Sequence, residues 1–154
     1  MQIRFTVDGK PKGQPRVRAY NPKHSKHAKV YDPGTANDWK SLVALAAKKV
    51  APKKPITGPV FVDMLFSMPR PGNHHVSCDK SRPVKKTAPH YHVSKPDVDN
   101  LAKAVLDVLS DIGYWTDDQL VSVLKVAKIY TQSEYQEKPG VSVQVWPMNQ
   151  PSVC

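Results

Sequence analysis

Apolar residues recur at every second position in three short stretches of this 154-residue chain, and that spacing commits much of it to a half-buried sheet. Ile3, Phe5 and Val7 alternate with polar neighbours. Val60, Val62, Met64 and Phe66 share one face of a strand over residues 58–68, and Val141, Val143 and Val145 follow the turn signal Pro139-Gly140. Residues 119–130, rich in Val and Leu, read as a further strand. Elsewhere the period changes. Trp39, Leu42, Val43 and Ala46 fall at helical spacing over about 36–50. Thr35 is the expected N-cap there, Lys48 and Lys49 suit the C-terminal end, and Pro52 and Pro55 bar continuation. Leu101, Val105, Leu109 and Ile112 mark a second helix from about Asn100 to Ile112, stopped by Gly113. The order β-α-β-loop-α-β-β predicts an α+β fold over residues 1–154: a single two-layer domain with a small mixed sheet packed with two helices.

The chain carries 15 prolines, and many fall in two long basic segments expected to be loops, about 9–34 and 69–95. The net charge of +10 is unevenly spread: residues 1–54 hold 13 Lys or Arg against three Asp, whereas residues 96–154 hold eight Asp or Glu against four Lys. A basic front half suits a polyanion, nucleic acid being the commonest. No apolar run approaches the roughly 20 residues that span a bilayer, and the N-terminus reads as a strand rather than a signal peptide. No membrane association and a cytoplasmic location are therefore expected. Two cysteines, Cys78 and the terminal Cys154, do not make a disulfide framework.

The acids are concentrated where the basic background ends. Asp97 and Asp99 stand two apart in a segment that Pro96 biases toward extended backbone, where such positions point the same way. Two adjacent carboxylates repel unless a cation lies between them, and hard oxygen donors suit Mg²⁺, with Mn²⁺ as a substitute. The plainer alternative makes Asp99 or Asn100 a helix N-cap and Asp97 a solvated loop residue. Three features weigh against it. Lys103 follows Asp99 by one helical turn, Asp117-Asp118 come just before the next strand, and the surrounding chain is basic. A nuclease needs carboxylates for a metal and a basic surface for phosphates.

The run Lys95-Pro-Asp-Val-Asp-Asn-Leu-Ala-Lys-Ala-Val-Leu-Asp-Val-Leu, followed by Gly113-Tyr-Trp-Thr-Asp-Asp-Gln-Leu-Val, resembles the RusA family of Holliday-junction resolvases in its phage or prophage form. The match is close from 95 to about 121 and looser outside. The opening Gly9-Lys-Pro-Lys-Gly-Gln-Pro-Arg is similar to the basic N-terminal loop of phage-type members. The resemblance implies an Mg²⁺-dependent homodimeric endonuclease that cuts four-way DNA junctions by paired hydrolysis, in recombination and repair. It implies Asp97, Asp99 and Asp118 as metal-binding acids and Lys103 as the catalytic lysine, with Asn100 and Asp117 supporting them. A metal held there would polarise the scissile phosphate and activate a water, while Lys103 would stabilise transition-state charge.

Lys10, Lys12, Arg16, Arg18, Lys23, Lys26, Lys29 and Lys95 are the candidate DNA-binding residues, with Tyr20 and Tyr31 interleaved as stacking partners. His74, His75, Cys78, His90 and His92 raise zinc as an option, but they match no familiar finger spacing and offer one thiolate. Trp39, Tyr114 and Trp115 read as core or interface aromatics. Two other functions remain open: a less selective metal nuclease on flap or branched DNA, and a non-catalytic nucleic-acid-binding module. Clustered acids argue against the last, since they would repel the phosphates a pure binder must hold.

Overall fold

The alternating stretches all become strands, and they pair into one sheet. The computed structural model describes residues 1–24, 26–132 and 137–149, with the side chain of Tyr31 outside the description, as is Cys154. In chain order the elements are β1 (Ile3–Asp8), β2 (Arg18–Tyr20), β3 (Lys29–Tyr31), α1 (Asn37–Lys48), β4 (Val60–Met68), α2 (Val98–Asp111), β5 (Val121–Tyr130) and β6 (Gly140–Pro147). The main sheet has the order β1-β6-β4-β5. Strand β6 is antiparallel to both β1 and β4, while β5 runs parallel to β4 along an edge. Parallel neighbours need a long crossover. Here the 69–95 segment and α2 supply it.

Register explains the core. Ile3, Val145 and Val62 form one cross-strand row, Phe5, Val143 and Met64 the next, and Val7, Val141 and Phe66 a third. All nine are buried. Trp39, Val43 and Ala47 of α1, with Leu101, Ala104, Val105 and Leu109 of α2, belong to the same cluster. The α+β architecture of mixed sheet and two helices is thus the observed one. Gly140 is required by a close approach, because a Cβ there would stand 2.0 Å from the Val7 carbonyl oxygen. Gly113 ends α2 at φ +81, and the bonds Gly113 N–H to Ser110 O and Tyr114 N–H to Leu109 O complete a Schellman turn.

Three details differ from the sequence expectation. Thr35 does not cap α1: Ala36 occupies the N-cap without a side-chain bond, and the buried row is Trp39, Val43, Ala47, leaving Leu42 44% exposed. The first helix rests on edge strand β1, so only a narrow stripe is covered. The 9–34 segment contains a two-stranded hairpin, β2–β3, and β2 is exposed throughout, with no buried face for alternation to reveal. Finally, α2 starts two residues early, at Val98, with Asp97 at the N-cap and no side-chain cap bond.

The 69–95 segment is anchored rather than loose. Arg70 donates to the carbonyls of Thr131 at 2.7 Å and Pro89 at 2.8 Å, and its guanidinium lies 5.2 Å from the Tyr130 ring centre. The rings of His74 and His92 meet Tyr130 edge-on at 4.7 and 4.9 Å. The segment ends by pairing with β5, through Tyr130 N–H to His90 O and His92 N–H to Lys128 O. His74 and His92 therefore pack against β5, while His75 meets the Arg82 carbonyl and His90 the Gln132 side chain. Among the described residues, no three His, Cys, Asp or Glu side chains gather as a metal group, and no helix is long and apolar enough to cross a membrane.

Candidate active site

The N-terminus of α2 is held from two sides. From β5, the Lys128 ammonium donates to the carbonyls of Ser94 at 2.5 Å and Pro96 at 2.7 Å. From the N-terminal segment, Gln14 N–H donates to Asn100 O at 2.9 Å. Gly13 allows that contact, since a Cβ there would meet Pro96 and Asn100 at 3.1 Å. Asp97 has extended backbone and Val98 begins the helix. Positions two apart on a helix do not face each other. Asp97 and Asp99 therefore open into different grooves, contrary to the parallel orientation expected of an extended strand.

The first groove, about 540 Å³, runs between α2 and β5. Asp99, Lys103, Asp107 and Ser110 enter it from the helix, and Asp118 from the single 3-10 turn before β5. Its walls include Ala102, Leu106, Trp115, Val121, Leu124 and Val126. Lys103 Nζ lies 3.4 Å from Asp107 Oδ1, while Lys40 of α1 lies 4.0 Å from Asp107 Oδ2. Both are ion pairs of the partly exposed kind that contribute little to stability. Hydrogen bonds from Ser110 and then Trp115, together with the Lys103 charge, hold the Asp118 carboxyl below the usual carboxylate range. Ser110 and Trp115 carried no signal in the sequence for this role. Asp117 differs from its neighbour: its Oδ1 accepts from Gln119 N–H at 2.9 Å and caps the short turn.

The second groove is cationic. Lys10, Arg16 and Lys95 line it with Gln14, Asp97 and Asn100, and Arg16 reaches Asp97 at 4.0 Å. Arg18 and Lys29 sit on the exposed β2–β3 hairpin, with Lys23 and Lys26 in its connecting turn. Lys12 is half-buried and outside the groove. Of the expected basic residues, three line this groove, four belong to the hairpin, and Lys12 belongs to neither.

Asp99 and Asp118 line the first groove from opposite ends, Asp99 in the first turn of α2 and Asp118 bonded to Ser110 in the last, about 16 Å along the helix axis, while Asp97 lines the second groove. Magnesium commonly takes one or two protein carboxylates and completes its octahedron with water and phosphate oxygens. Each end of the first groove offers one such carboxylate, with Lys103 on the helix between them.

Comparison with known proteins bears on the same residues. The model of the family described as Endodeoxyribonuclease RusA matches residues 8–146, which include both grooves. The chain is also similar to YqaN, an uncharacterized protein of Bacillus subtilis (strain 168). The two are 37% identical over 145 residues, covering 93% of this chain and 94% of the relative. A match over nearly the whole chain, spanning carboxylates, lysine and basic groove alike, places the chain in the RusA endodeoxyribonuclease family.

Proposed function

We propose that the chain is a magnesium-dependent endonuclease that resolves four-way DNA junctions, with Asp99, Asp118 and Lys103 at its reacting centre. The observation that carries this is the pairing of the two grooves across the N-terminal turn of α2. One offers two carboxylates and an ammonium between apolar walls; the next offers Lys10, Arg16 and Lys95. A DNA strand laid over that turn meets a hydrolytic site and a phosphate-holding site in succession.

Mg²⁺ held by these carboxylates, with Mn²⁺ as substitute, would polarise the scissile phosphate and acidify a bound water. Lys103 is positioned by Asp107 to place positive charge beside the reacting phosphate. The cationic groove holds a neighbouring phosphate and so fixes the strand's register. Asp97, 4.0 Å from Arg16 at that boundary, is the third acid of the set and lines the second groove. Asn100 and Asp117 support the arrangement, the first from the groove wall and the second by capping the turn that carries Asp118.

Paired cuts require two active sites, and a homodimer acting on branched DNA supplies them. Edge strand β5 supports that reading. Val123 and Leu124 are 43% and 44% exposed on it, and its outer edge is met only near Ile129, by Tyr91, among the described residues. Light scattering gives the mass in solution. The activity is tested by Mg²⁺-dependent nicking of four-way, flap and linear duplex substrates. Preferential paired cutting of the four-way junction is expected. Equal cutting of all three would leave a less selective nuclease.

A further inference from the structure

Strand β2 is exposed along its length, and so are Lys29 and Val30 of β3. Register sorts these residues by face. Ala19 pairs with Val30 and shares a face with it, and alternation carries Val17 to the same side. Val17 is 60% exposed and Val30 66%. Arg18, Tyr20 and Lys29 lie on the other face. The hairpin thus has an apolar side and a basic side.

An isolated exposed valine needs no explanation. Two on one face of a projecting hairpin do, and the charge around them says what can cover them. From Gly9 to Tyr31 the sequence holds seven Lys or Arg and no Asp or Glu. Arg18, Lys23, Lys26 and Lys29 are all exposed. Two copies meeting hairpin to hairpin would set like charges together, whereas a polyanion complements them. The hairpin also springs from the cationic groove. Arg16 lines that groove directly before Val17. Gln14 N–H bonds to Asn100 O at 2.9 Å, and Gln14 Nε2 reaches Asp32 Oδ2 at 3.4 Å, so both ends of the hairpin meet beside the start of α2. DNA held in the groove therefore continues onto the hairpin.

We infer that Val17 and Val30 form an apolar wedge that packs on unstacked bases at the branch point of DNA, while Arg18 and Lys29 hold the flanking phosphates. An intact duplex offers phosphates, but its base faces are covered by stacking. At a branch point base faces are more readily uncovered, and apolar side chains set against them replace the lost stacking. Affinity then comes from the basic face and selectivity for branched DNA from the apolar one. This rests on the proposed action on branched DNA and adds how the branch is recognised.

The test is binding of the full chain, in Ca²⁺, to a four-way junction and to a linear duplex of equal length, with 2-aminopurine at the branch point or within an arm. The wild type should prefer the junction and brighten the branch-point base alone, as unstacking does. Val17→Ser/Val30→Ser should lose that brightening and about tenfold in junction affinity, with duplex affinity within about twofold and the salt slope unchanged. Val17→Ile/Val30→Ile should keep both. Arg18→Gln/Lys29→Gln should weaken both substrates and flatten the salt slope by about 0.9 per cation. Junction preference and brightening retained by Val17→Ser/Val30→Ser overturn the wedge and leave the junction activity standing. Equal loss on both substrates overturns it as well. So does a variant that keeps its junction preference but loses a dimer seen for the wild type by light scattering, since the face then belongs to a second copy. A wild type that binds duplex as tightly as junction overturns the wedge together with the proposed junction selectivity. Urea denaturation confirms that the variants fold.

Discussion

The ammonium of Lys128 donates a hydrogen bond to the main-chain carbonyl of Pro96 at 2.7 Å, tying the edge strand to the residue before Asp97. The same group holds the Ser94 carbonyl at 2.5 Å, so one cation ties two carbonyls beside the helix start. Replacing it with an apolar side chain leaves both without that donor. Lys128→Met is expected to lower stability by about 1–2 kcal/mol, read from urea denaturation. It should also reduce cleavage, because Asp97 and Asp99 follow directly in the chain.

Removing positive charge from the second groove should act on binding rather than on chemistry. Arg16→Gln and Lys95→Gln are each expected to weaken junction binding in Ca²⁺. Each should also flatten the dependence of log affinity on log salt by about 0.9, the release of one phosphate contact. The measurement is a binding titration across salt concentrations. An unchanged slope in both variants would remove these residues from the DNA interface.

His92 gives a pH dependence with a definite sign. Its Nδ1 is buried without a partner, and burial first, then the Lys128 charge, lower its pKa below 6.5. The unfolded chain therefore takes up a proton before the folded one. The contribution to stability is complete above the unfolded value and is lost as pH falls from there toward the folded value. His74 shifts the same way, through burial and then the Arg70, His75 and Lys85 charges. The urea midpoint of the wild type should fall between pH 7.5 and pH 5.5, and that of His92→Gln should fall less.

Much of this was legible in the residues, for physical reasons that differ by element. Strands β1, β4 and β6 each bury one face against the helices, so burial writes itself into alternation at Ile3, Val62 or Val143. Strand β2 is exposed along its length, and nothing in Arg18–Tyr20 announces a strand. The placement of Lys103 one helical turn after Asp99 was visible through spacing, whereas that of Asp118, against Ser110 in the last turn of α2 rather than beside Asp99, was not. The divergence of Asp97 was not, because it depends on α2 starting at Val98 rather than Asn100. Ser110, Trp115 and Lys128 were invisible for a common reason. Each acts through a bond to a residue that only the fold brings near, and on paper each is an ordinary helix-end serine, core aromatic or strand lysine.

The central claim is that the carboxylates of the α2–β5 groove carry out hydrolysis rather than merely line a DNA-binding surface. Cleavage of a four-way junction by Asp99→Asn, measured beside junction binding in Ca²⁺ or EDTA, tests it most directly. Cleavage should fall by at least about a hundredfold while binding is retained. Cleavage at the wild-type rate by that variant would contradict the account.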